Sequence, residues 1–142
     1  MMEINKWIIL KFFYGGSMID IFLNYSLLLC FTIMILYSTL VPLERWKKSL
    51  QSLLFVAIQA IIWFSTPAYG VSIIWCGQLG LILYYLILQR RRRWARLIYF
   101  TAVIFGTYVV YYYYVKFPLI TTQVHLFSVV LGAFVTALLN CF

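Results

Sequence analysis

Residues 49–89 read SLQSLLFVAIQAIIWFSTPAYGVSIIWCGQLGLILYYLILQ and contain no Asp, Glu, Lys or Arg. A helix rising 1.5 Å per residue crosses about 30 Å of hydrocarbon in about 20 apolar residues, so this run is long enough for two crossings. It also carries its own punctuation. Ser65-Thr66-Pro67-Ala68-Tyr69-Gly70 sets a proline near a glycine, a turn signal inside an otherwise apolar stretch. We therefore read two spans here, 50–65 and 70–88, in preference to one broken element over 50–88.

Outward from this run, residues 21–43, 97–115 and 117–142 are equally free of charge. They supply three more spans, at 20–41, 97–115 and 124–142. The whole chain is 65% hydrophobic and 10% charged, with a mean hydropathy of +0.98. A soluble domain of this size carries about 45–50% apolar and about 25% charged residues. Too little polar surface exists here to coat a water-facing globule, which excludes a soluble enzyme. The expected fold is an all-α integral membrane protein, a compact bundle of about five transmembrane helices with short loops. Residues 18–142 form that single multi-pass domain.

The net charge of +8 comes from eleven basic residues against three acidic ones. The cations are clustered between apolar runs, unlike the continuous stripe of a nucleic-acid binder. Arg45, Lys47 and Lys48 fill the first connection, and Arg90, Arg91, Arg92, Arg93 and Arg96 fill the third. The second connection has no charge and the fourth only Lys116. By the positive-inside rule, connections one and three face the cytoplasm, with the N-terminus outside and the C-terminus inside a cell membrane. The same residues anchor topology and attract anionic lipid of the cytoplasmic leaflet, by about 1 kcal/mol each near the surface. Trp46 and Trp94 fall at that level, while Trp63, Tyr69 and the Tyr111–Tyr114 run read as the opposite aromatic belt.

Residues 1–17 fit this plan poorly. Lys6 and Lys11 would be basic residues on the outer side, and Trp7–Leu10 is too short for a signal-peptide core. The segment reads either as a short interfacial helix or as an upstream mis-assigned start. Gly15-Gly16 just before Met18 can be encoded as a bacterial ribosome-binding sequence, which would make Met18 the true start.

Ionisable groups inside a membrane are costly and are functional candidates by default. Asp20 and His125 lie at the outer edges of spans one and five, with Asn24 one turn below Asp20. They form a candidate ligand or proton site if they meet; the plainer reading leaves both wet at the interface, marking span ends. Gln59, Gln78 and Asn140 are candidate intramembrane polar contacts, bonding neighbouring helices or lining a path. Ser128, Gly132 and Thr136 recur every fourth residue, as do Ser72, Cys76 and Gly80. Such stripes let helix backbones approach, within a bundle or across an oligomer, because lipid supplies no hydrophobic drive for helices to pair.

Motifs for catalysis are missing: the sequence has no HExxH, no GxSxG, no Gly-rich phosphate loop and no paired intramembrane carboxylates. Three cysteines without CxxC spacing and a single histidine give no reason to expect a metal or any cofactor. In layout, the short loops and basic inner connections resemble the N-terminal membrane region of peptide-pheromone-sensing histidine kinases of Gram-positive bacteria. They also resemble the membrane half of the protease that processes a sporulation sigma factor. Neither likeness rests on a diagnostic motif, and this chain has no kinase or protease domain. The expectation is a small bacterial inner-membrane protein of non-enzymatic type, a sensor-like, accessory or immunity subunit. Its partners would be copies of itself or another membrane protein, with no nucleic acid. The alternative is a small oligomeric transporter or channel.

Overall fold

The computed structural model describes residues 17–37, 43–65, 71–88, 93–116 and 118–142. Among them the chain is helical throughout, in five elements: α1 Met18–Tyr37, α2 Arg45–Ser65, α3 Ser72–Leu88, α4 Arg93–Lys116 and α5 Leu119–Cys141. Three of these, α1, α2 and α5, are each long and apolar enough to cross a membrane. α3 is apolar but spans 17 residues, about 26 Å at 1.5 Å per residue.

Each helix starts for a local reason. α1 opens on a capping box, Ser17-Met18-Ile19-Asp20. The Ser17 amide and hydroxyl both donate to Asp20 Oδ2 at 2.9 Å, and the Ser17 carbonyl accepts the first helical bond from Ile21. α2 begins after Glu44, whose carbonyl accepts the Lys48 amide at 3.1 Å. The Ile73 amide in the first turn of α3 donates to Gln59 Oε1 on α2 at 3.0 Å, a cap supplied by the neighbouring helix. α5 follows Pro118, whose φ of −56° is already helical and whose ring nitrogen has no hydrogen to satisfy.

α3 is the axis. Val71 through Ile82 is buried without a break, and the other four helices all pack on it. A helix that is apolar all round is stable only where protein or lipid surrounds it on every side. Here α1, α2 and α4 each take part of its surface, and α5 takes the closest share. Trp75, Phe31, Ile35, Leu81 and Ile82 fill the space around it. On the outside, large apolar side chains are exposed on all four surrounding helices, among them Phe22, Leu53, Ile104 and Phe127. The polar side chains Asn24, Gln51, Gln59, Gln78, Ser128 and Thr136 lie inside. This distribution is the reverse of a water-soluble bundle.

The helix bounds correct several expectations. α2 starts at Arg45, so Arg45, Lys47 and Lys48 are helical and do not fill a loop. α4 likewise takes in Arg93 and Arg96 at one end and Lys116 at the other. α5 starts five residues before the expected 124. The reason is common to all three: a backbone already in helix keeps its hydrogen bonds past the apolar boundary, so charge marks where hydrocarbon stops and not where the helix stops. Arg90, Arg91, Arg92, Tyr69 and residues 1–16 lie outside the described residues.

Candidate functional site

The end of the bundle where α1, α3 and α5 begin gathers most of the candidate polar groups. Asp20 projects from the first turn of α1 and is fully buried. Its Oδ2 accepts from Lys116 Nζ at 3.0 Å, across from the last turn of α4. Lys116 also donates to the Tyr112 hydroxyl one turn back, at 2.9 Å, and its ammonium sits 5.1 Å from that ring centre. The Tyr112 hydroxyl, and then Asp20, hold the Lys116 ammonium above its ordinary range. The sign follows: this tie is fully present below the ordinary lysine range and is lost only as pH rises through the raised value. Lys116 is 40% exposed, so water screens the tie. We expect Lys116→Met to lower the unfolding temperature slightly at neutral pH and to leave it unchanged in strong alkali, by thermal melts in detergent.

One turn below Asp20, Asn24 joins α1 to α3. Its Nδ2 donates to the Asp20 carbonyl at 2.9 Å, and its Oδ1 accepts the indole N–H of Trp75 at 2.8 Å. Trp75 has no solvent-exposed surface. Its ring lies 6.3 Å from Phe31 and 6.5 Å from His125, centre to centre. His125 is 5% exposed, and its Nδ1 is within hydrogen-bond reach of the Thr121 carbonyl. Asn24 and His125 are thus gathered around Trp75, and Asp20 is joined to them through the Asn24 amide. Both the Asp20 and the His125 side chains are buried inside the bundle. The partner expected for Asp20 changes: Lys116 on α4, not His125, takes its charge. Sequence reasoning missed Trp75 and Lys116 as members. Ser17-x-x-Asp20 was readable as a capping signal, whereas nothing local marks Trp75 as the hub.

The deeper amides hold helices together. Gln59 caps α3, as described. Gln78 Nε2 on α3 donates to Thr32 Oγ1 on α1 at 2.8 Å, while its buried Oε1 has no hydrogen-bond partner among the described residues. Asn140 Oδ1 on α5 accepts from the Tyr85 hydroxyl on α3 at 3.0 Å, and its Nδ2 donates to the Thr136 carbonyl. Gln51 on α2, not singled out from sequence, donates to the Gly132 carbonyl and accepts from Thr136 Oγ1, both at 3.1 Å. Such interhelical bonds contribute about 0.6 kcal/mol each on average in a membrane.

The small-residue stripes meet inside the chain. Ser128, Gly132 and Thr136 are buried on α5, and Ser72, Cys76 and Gly80 are buried on α3. A methyl group at Gly80 would overlap the Val129 carbonyl oxygen and lie 2.8 Å from the Ala133 nitrogen. One at Gly132 would overlap the Gly77 carbonyl oxygen and lie 3.0 Å from the Gly77 Cα. On its other side Gly77 carries the Phe55 ring of α2 directly against its Cα. Three helices therefore converge on Gly77, Gly80 and Gly132. Compared with known proteins, the chain matches no family model, no curated protein and no solved structure.

Proposed function

We propose that this chain is a five-span bacterial inner-membrane protein, N-terminus outside, that works without catalysis through contacts with other membrane proteins. A sensor-like, accessory or immunity subunit is the role that fits. The observation that carries this reading is the filled centre. α3 is sheathed on every side, and Gln59 and Asn140 are bonded within the chain rather than turned to a path. The exposed apolar side chains of α1, α2, α4 and α5 match a surrounding of lipid. With Lys116 and Asp20 at the outer end, Arg45, Lys47, Lys48 and Arg96 fall at the inner one, consistent with the positive-inside rule. The cluster around Trp75 then faces outward, where an extracellular signal or partner would meet it. Its Asp20–Lys116 pair and its amide and indole bonds orient helices; they place no base against a nucleophile.

The test is cysteine accessibility on whole cells, with Cys30, Cys76 and Cys141 replaced and single cysteines set at Ser49, Ser65 and Thr121. Labelling at 65 and 121 but not at 49 is the expected result. The reverse pattern inverts the topology and ends the case for an outward-facing cluster. A second reading, an oligomeric transporter or channel, draws on one observation: the Gln78 Oε1 acceptor left open at mid-depth. It requires solute flux in liposomes that Gln78→Leu reduces, and flux no higher than in empty liposomes removes it.

A further inference from the structure

α4 differs from the other helices on its outward side. Away from their ends, the outward faces of α1, α2 and α5 carry residues such as Phe22, Leu53 and Phe134 and, among the described residues, no exposed hydroxyl group. α4 exposes four, on Thr101, Thr107, Tyr108 and Tyr111. Thr101 satisfies its own, donating to the Leu97 carbonyl at 2.9 Å. The hydroxyls of Thr107, Tyr108 and Tyr111 make no hydrogen bond among the described residues. Tyr112, by contrast, accepts from Lys116.

Depth makes open hydroxyls costly in lipid. Tyr114, two residues from Lys116, suits an aromatic belt at the headgroups. Tyr108 is eight residues from Lys116, about 12 Å along the helix. A helical side chain leans toward the helix N-terminus, which for α4 is the end away from Lys116. The Tyr108 hydroxyl is therefore carried away from the nearer headgroups, into hydrocarbon that offers no acceptor. Tyr111 is steadied by the Tyr114 ring, 6.5 Å away centre to centre.

Spacing and symmetry indicate what supplies the missing bonds. Leu97, Thr101, Ile104, Tyr108, Tyr111 and Val115 follow one another at intervals of four and three residues, and all are exposed. That period keeps one stripe turned toward a parallel neighbour along the whole helix. Copies of a membrane protein insert in one orientation. Two that meet are related by an axis along the membrane normal, which sets each seam residue against itself at the same depth. A hydroxyl both donates and accepts, so Tyr108 and Tyr111 can each bond their own counterparts. Lys116, at the outer end of α4, is tied to Asp20, so the pairing does not set two bare ammonium groups together. We propose that the outward face of α4 is the contact between two copies of this chain, with the Tyr108 and Tyr111 hydroxyls bonded across it. The contact rests on the reading of a protein that works through other membrane proteins, and gives that reading a surface and a partner.

The test begins with Cys30, Cys76 and Cys141 replaced. Leu97→Cys and Ile104→Cys, one heptad apart on the stripe, and Phe127→Cys on the outward face of α5 are then oxidised in membranes. Cross-linked dimers are expected from 97 and 104 and not from 127. Tyr108→Phe/Tyr111→Phe isolates the hydroxyls, since it keeps both rings and is better suited to lipid. In liposomes of rising lipid content, with copies counted by single-molecule photobleaching, this double variant should dissociate at an about tenfold higher protein-to-lipid ratio. That is the scale of two average interhelical bonds lost. An unchanged thermal melt in detergent would show that its fold is intact. Equal cross-linking at 127 reports random collision and overturns the contact, as does a wild type that is monomeric at every lipid content. Cross-links from 97 and 104 to a chain of different mass overturn the second copy as the occupant. An unchanged dissociation point in the double variant overturns the role of the hydroxyls. Labelling at residue 49 from outside would sink the five-span orientation alone, because both copies would invert together and remain parallel.

Discussion

Gly80→Ala and Gly132→Ala should each destabilise the bundle by at least about 3 kcal/mol, the upper range for overpacking, because the added methyl group meets backbone and not a side-chain tip. The direction is informative, since alanine is intrinsically the better helix former by about 1 kcal/mol and would stabilise any helix that had room for it. At Gly80 the obstruction is the Val129 carbonyl and the Ala133 nitrogen; at Gly132 it is the Gly77 peptide. Neither can move without shifting α3 against α5 along their whole length. Gly77→Ala should cost less, because the group in its way is the Phe55 ring, which can turn aside. Gly106→Ala should cost least, at about 1 kcal/mol or below: its nearest neighbours are side-chain carbons of Leu79 and Phe31 at 3.2 and 3.3 Å.

The same geometry predicts a rescue. Phe55→Ala alone leaves a cavity worth about 3–5 kcal/mol. Combined with Gly77→Ala it also removes the obstruction, so the double variant should be more stable than the sum of its parts predicts by about 1 kcal/mol or more. Unfolding by dodecyl sulfate titration in detergent micelles, followed by tryptophan fluorescence, measures the whole series. A Gly80→Ala protein within about 0.5 kcal/mol of wild type would mean that α3 and α5 do not approach as described. A single added methyl group on this seam, which has no charged residue in it, is then as disruptive as a large cavity elsewhere in the core.

How much of this was readable from sequence depends on whether the signal is local. The 49–89 run, with Pro67 and Gly70 inside it, showed two elements, and α2 and α3 end and begin within two residues of the expected break. The i, i+4 spacing of Ser128, Gly132 and Thr136 marked one face of α5, which is the face buried against the bundle. Pairings across helices were not readable. Asp20 has two basic or imidazole candidates at its own end, Lys116 and His125, and nothing in the order of residues chooses between them. The choice is made by α4 extending to Lys116, so that its last turn reaches the first turn of α1. Lys48 misled for a similar reason: a cluster of three cations looks like a loop, and the buried face of α2 only becomes visible as Lys48, Gln51, Phe55 and Gln59 once the helix starts at Arg45.

Asn24→Leu should cost about 1–3 kcal/mol, although leucine is close to asparagine in size. The loss would come from Trp75, whose indole N–H gives up its acceptor at a site with no solvent-exposed surface. Trp75→Phe removes the donor and some ring volume together, and should be destabilising by a comparable amount. The double variant is the decisive one. With donor and acceptor both gone, no polar group is stranded, so Asn24→Leu/Trp75→Phe should be about 1 kcal/mol or more better than additive. Simple additivity would show that Asn24 and Trp75 act independently and that α1 is held to α3 by apolar packing alone. The same cycle bears on function. Trp75 is the ring that His125 and Phe31 both approach, so the Asn24 bond fixes the orientation of a side chain of α3 that meets both α1 and α5. A partner or signal acting at that end moves all three helices only if this bond holds Trp75 in place. The coupling energy therefore measures how firmly the cluster at that end is tied to the helix at the centre of the bundle.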